Sequence, residues 1–184
     1  MKLTDEQRNL LKSIARKSIQ SGLATGRPLQ VDLEQLDEAL RQPAATFVTL
    51  NLHGRLRGCI GSLEAVRPLA EDVAHNAYAA AFQDYRFPPL TTEEFPDIDI
   101  HISLLSAPEP VDVNSESELL AKLRPGKDGL ILEDGPYRST FLPQVWETLP
   151  EPERFLSELK MKAGLSPDYW SDTIRFSRYG VETV

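Results

Sequence analysis

The residues best equipped for chemistry sit in one short segment, Leu56-Arg57-Gly58-Cys59-Ile60-Gly61, which holds the only cysteine of the chain. Residues two apart on a strand share a face, so Arg57, Cys59 and Gly61 are expected on one side. A guanidinium beside the sulfur would favour thiolate over thiol. Gly61 would leave open space next to the sulfur, and Gly58 would let another backbone approach. Such a site suits an anion or an electrophile, with Cys59 as a candidate nucleophile. The same residues also fit a plainer arrangement, in which Cys59 fills a sheet–helix interface, Arg57 reaches a carboxylate such as Asp72, and both glycines permit tight packing.

Further polar residues would complete or surround this segment. Asp72 and Asn76 are four apart on a helical stretch, so they share a face and would line a cleft. His101 lies on the polar side of an alternating strand and would meet Cys59 as an imidazole partner if the two polar faces coincide. His53 reads as a turn residue and His75 as an edge residue of the helix. The three histidines show no metal-ligand spacing, so no zinc site is expected, and no motif calls for a cofactor.

The elements that must position these residues follow from hydrophobic period and turn chemistry. Leu10, Leu11, Ile14, Ala15 and Ile19 fall at helical spacing, with Thr4 and Gln7 as a capping box and Gly22 and Gly26-Arg27-Pro28 as terminators. A short helix over 33–40 precedes two strands, 46–52 and 56–63, which flank His53-Gly54 as a hairpin. Hydrophobic matching favours a three-residue loop, His53-Gly54-Arg55, with Val48 opposite Ile60, Thr49 opposite Cys59, Asn51 opposite Arg57 and Leu52 opposite Leu56. Pro68 opens a helix to Phe82, and Ile98, Ile100, Ile102 and Leu104 alternate along a strand. Beyond these come a helix from Glu116, a hairpin around Asp134-Gly135, a helix from Pro152 closed by Gly164, and a last strand over 173–181. The expected fold is α/β of the α+β type, a mostly antiparallel sheet flanked by helices. It forms a single domain over 1–184 with a smaller appended subdomain within about 1–45 and 115–165.

With 184 residues, 41% hydrophobic and 26% charged, the chain has the composition of an ordinary globular protein. It carries a formal charge of −8, which disfavours a nucleic-acid partner, although Arg55, Arg57, Arg67 and Arg86 fall in one third of it. A lone cysteine, an opening without an apolar leader and the lack of any run long enough to span a bilayer lead to an expected cytoplasmic location with no membrane association.

The hexapeptide resembles the signature of the AMMECR domain family. Further blocks resemble the family in its order: Phe47-Val48-Thr49-Leu50, Pro68-Leu69-Ala70-Glu71-Asp72-Val73, Arg86-Phe87-Pro88-Pro89-Leu90, Thr140-Phe141-Leu142-Pro143-Gln144-Val145-Trp146 and Lys162-Ala163-Gly164-Leu165. The resemblance implies an antiparallel α/β fold with a larger and a smaller subdomain and a cleft near the hexapeptide. Its binding residues would be Arg57, Gly58, Gly61, Asp72, Arg86 and Lys162, with Lys127, Gln144 and Trp146 recurring in family-like blocks. It further implies association, as component A of the AmmeMemoRadiSam system, with a Memo-like protein and a radical S-adenosylmethionine protein. Three functions remain open on this reading: an accessory or binding module receiving a partner segment or small anionic ligand, a thiol-dependent enzyme using Cys59, and an RNA-related regulator.

Overall fold

The structure, a computed structural model, describes residues 3–184. The described residues divide into two compact units, 3–105 with 182–184, and 106–181. In the larger unit, α1 (Asp5–Thr25) opens on the expected capping box: the Thr4 hydroxyl accepts the Gln7 N–H and the Gln7 side chain accepts the Thr4 N–H. Gly22 does not end this helix. A Cβ there would come within 2.2 Å of the Phe82 ring, so glycine serves a close helix crossing, and the helix stops at Gly26 in the left-handed conformation.

After α2 (Glu38–Arg41), the short strand β1 (Pro43–Ala44) and β2 (Thr46–Leu52) lead into β3 (Arg55–Gly61). The segment then passes through β4 (Arg67–Pro68) into α3 (Leu69–Phe82), whose alanines let it lie against β2 and β3, and on to β5 (Ile98–Leu105). The larger sheet has the order β10-β5-β2-β3, where β10 is Val181–Thr183, and β2 pairs antiparallel with both its neighbours. Val48, Leu50, Val73, Ala77, Ile98 and Ile102 meet Leu11, Ile14 and Ile19 in its core.

The smaller unit contains β6 (Glu109–Pro110), α4 (Glu116–Lys122), β7 (Gly129–Asp134), β8 (Tyr137–Phe141), α5 (Pro152–Lys162) and β9 (Arg175–Tyr179), with sheet order β6-β9-β7-β8. Trp146 anchors its core, stacked at 3.7 Å on Phe155 with its indole N–H donated to the Asp128 carbonyl.

Two sequence expectations change. Residues 3–45 cluster with the larger unit and not with a smaller lobe, because α1 packs on α3. The single last strand is two strands in different sheets, separated at Gly180.

Candidate functional site

The hairpin of β2 and β3 keeps part of the expected register and departs from it near the turn. Leu52 pairs with Arg55, so the turn has two residues, His53 and Gly54, both at positive φ (51° and 76°) as a tight hairpin turn requires. Further along, Val48 faces Ile60 and Thr49 faces Cys59, the pairing of the three-residue loop. A bulge reconciles the two: Leu50 pairs with Gly58 and Asn51 with Leu56, which leaves Arg57 as the extra residue. Asn51 therefore does not face Arg57, and strict alternation no longer obliges Arg57 to share a face with Cys59.

From the bulge, Arg57 reaches a carboxylate other than Asp72. Its Nε and Nη2 donate to Glu94 Oε1 and Oε2 at 2.8 and 2.9 Å, and Nη2 also approaches the Pro89 carbonyl at 3.3 Å. The Arg57 side chain is 9% exposed, and its guanidinium carbon lies 5.9 Å from the centroid of the Phe87 ring. Its third nitrogen, Nη1, is buried without a hydrogen-bond partner among the described residues. The paired guanidinium holds the Glu94 carboxyl below the ordinary carboxylate range.

Cys59 is fixed through its backbone. As β3 is the edge strand, the Cys59 N–H points away from β2 and donates to Asp84 Oδ2 at 2.9 Å, while the Arg86 Nη2 approaches the Cys59 carbonyl at 3.4 Å. Asp84 in turn receives Nε and Nη2 of Arg86 at 3.0 and 2.8 Å and the Arg86 amide at 3.1 Å. Hydrogen bonds from Arg86, followed by those from the two backbone amides, outweigh burial and pull the Asp84 carboxyl down to about 2. Arg86 is accordingly the guanidinium on the Cys59 backbone, whereas the sulfur itself meets the Thr49 hydroxyl at 3.2 Å. The thiol is half-buried.

The two glycines serve packing. A Cβ at Gly58 would fall 2.0 Å from the Ala80 carbonyl oxygen of α3, the close backbone approach expected of it. At Gly61 it would strike the Phe47 ring at 2.2 Å, so that ring fills the expected open space.

The other candidate residues separate from this cluster. Asp72, fully buried, accepts the Thr46 N–H and hydroxyl and the Asn76 amide on Oδ2, and Arg67 on Oδ1 at 3.1 Å; it ties α3 to the start of β2 and does not line an open cleft. Lys162 belongs to the smaller unit, where its ammonium donates to the Thr140 carbonyl at 2.8 Å. His101 pairs with Thr49 on the far side from Cys59. The two residues share a sheet face but lie two strands, roughly 10 Å, apart, so Thr49 intervenes between imidazole and thiol. Among the described residues no group of three His, Cys, Asp or Glu is arranged to hold a metal ion, and no helix is long and apolar enough to cross a membrane.

Sequence reasoning missed Glu94 and Asp84 and gave Thr49 no role beyond its pairing with Cys59. Asp84 stood beside the quoted Arg86 block, and Thr49 was paired with Cys59 in the favoured register, but nothing in spacing pointed to Glu94 as the partner of Arg57.

The sequence model of the AMMECR1 family matches residues 12–184. The chain belongs to the AMMECR1 family. A protein of Methanothermobacter thermautotrophicus is 43% identical over 173 residues, covering 91% of this chain and 87% of its own. Protein MJ0810 of Methanocaldococcus jannaschii is 39% identical over 175 residues, with 91% and 84% covered. The crystal structure of the uncharacterised protein PH0010 from Pyrococcus horikoshii matches with a TM-score of 0.91 at 34% identity, over 100% of this chain and 93% of that one. This AMMECR1 chain thus shares its fold, of α+β type, with a solved relative along its whole length.

Proposed function

We propose that this AMMECR1 chain is a binding module whose recognition surface is the segment around Arg57, Cys59 and the 84–94 loop, acting as an accessory subunit to a Memo-like protein and a radical S-adenosylmethionine protein. The observation that carries the reading is the Arg57 guanidinium, nine-tenths buried and bidentate to Glu94, with Nη1 left without an acceptor among the described residues. A buried donor left unpaired costs roughly 1–3 kcal/mol, and an acceptor supplied by a partner recovers it.

The neighbouring turn supports the same reading. Tyr85 is 94% exposed at a tip closed by the Arg86 N–H on the Asp84 carboxylate and the Phe87 N–H on the Asp84 carbonyl. An aromatic held ready in this way matches the anchors of protein interfaces. Because both Arg57 and Arg86 already face carboxylates, the surface lacks surplus positive charge and suits a protein segment better than a small anion. The thiol-enzyme reading gains less support, since the Arg57 guanidinium is committed to Glu94 and the sulfur to a hydroxyl.

Mixing the chain with a purified Memo-like protein in sedimentation velocity tests this: a complex forms with the wild type and is lost with Arg57→Ala. A complex that forms equally with the folded variant removes Arg57 as the contact.

A further inference from the structure

A cavity distinct from the Arg57 cluster lies wholly within the larger unit. It measures about 460 Å³ and is lined by Pro28, Leu29, Gln30, Val31, Arg67, Glu71 and His75, inside the roughly 300–1,000 Å³ typical of small-molecule sites. Its apolar wall is fixed: the Leu29 N–H donates to the Ser18 hydroxyl at 3.1 Å, and that hydroxyl donates to the Ala74 carbonyl of α3 at 2.6 Å. Glu71 and His75 are four apart on α3 and so share a face. Both are half-buried. Arg67 places Nη1 on buried Asp72, and its side chain remains 38% exposed.

These groups form an ordered set of complementary charges against an apolar wall. Arg67 offers N–H donors to an oxyanion, Glu71 offers an acceptor with negative charge, and Leu29 with Val31 offers apolar contact. Burial first, and then the charge of Arg67, lower the pKa of His75, outweighing the opposing influence of Asp72. At neutral pH the imidazole is therefore uncharged and keeps one nitrogen as an acceptor.

We infer that this cavity binds a small zwitterion, an α-amino acid with an apolar side chain, with its carboxylate on Arg67, its ammonium between Glu71 and His75, and its side chain on Leu29 and Val31. The site is independent of the Arg57 surface.

The test follows the His75 ring signals by NMR at pH 7.5 during titration of the wild-type protein with leucine, with 4-methylpentanoate, which lacks the amine, and with leucinamide, which lacks the carboxylate. Leucine is expected to give a saturable shift, with each analogue at least roughly tenfold weaker, the loss expected from one charge-assisted contact. Glu71→Gln should weaken leucine by a similar factor, whereas Arg57→Ala should leave it unchanged. No saturable shift with leucine, or the same affinity for all three compounds, overturns the assignment.

Discussion

Two charged side chains buried in the larger unit show opposite designs. Asp72 is fully enclosed, and its carboxylate receives Thr46, Asn76 and Arg67, so its charge and acceptor sites are matched inside the fold. Arg57 is nearly as enclosed, yet its guanidinium is satisfied on one edge by Glu94 and left open at Nη1. A closed network of this kind holds an architecture together. One left short by a single acceptor costs stability. The first network joins β2 to α3, and the second joins the bulge in β3 to the loop that follows that helix.

The largest expected effect breaks the closed network. Asp72→Ala strands the Thr46 N–H and hydroxyl proton in the core and unpairs Arg67, while the Asn76 amide keeps the Thr46 oxygens as acceptors, and it should lower unfolding free energy by about 3–4 kcal/mol in urea denaturation. A loss below about 1 kcal/mol would show that the network is not structural.

Next is the approach of α3 to β3. Gly58→Ala places a methyl group against the Ala80 carbonyl, where only backbone can give way. A loss of about 2–3 kcal/mol is expected in the same assay. A neutral substitution would mean that helix and strand separate easily.

The smallest effect is a pH dependence at the Cys59 latch. Asp84 titrates at about 2 in the folded chain, below its ordinary value of 3.8. An acid with a depressed folded pKa contributes stability above its unfolded pKa and loses it as pH falls through the folded one. The loss therefore falls between pH 4 and 2. Arg86, 45% exposed, is screened by solvent, so the contribution is discounted to about 1 kcal/mol. Asp84→Asn should flatten this part of the stability–pH curve, and an unchanged slope would remove the latch as its origin.

Much of this architecture was readable from sequence because it rests on local chemistry. The Thr4–Gln7 capping box, the alternation of Ile98, Ile102 and Leu104, and Asp134-Gly135 between two strands each specify an element within a few residues. The bulge at Arg57 was not readable. Matching hydrophobic rows led to a three-residue loop, whereas one inserted residue lets the hairpin close on two residues and still keep Val48 opposite Ile60. Because a bulge interrupts strict alternation, spacing no longer decides whether Arg57 and Cys59 share a face, while the Thr49–Cys59 pairing held. Glu94 was equally hidden, since 37 residues separate it from Arg57 and only the return of the chain after α3 brings them together. Gly22 misled because a helix crossing and a helix end both favour glycine.

The most direct test of the central claim, that Arg57 rather than the Cys59 thiol supplies the recognition contact, is calorimetric titration of a purified Memo-like protein into the wild type, Arg57→Ala and Cys59→Ser. The account predicts that Arg57→Ala loses at least roughly tenfold in affinity, the value of one charged hydrogen bond, while Cys59→Ser binds as the wild type does. Full affinity in Arg57→Ala, or its loss in Cys59→Ser alone, would contradict it.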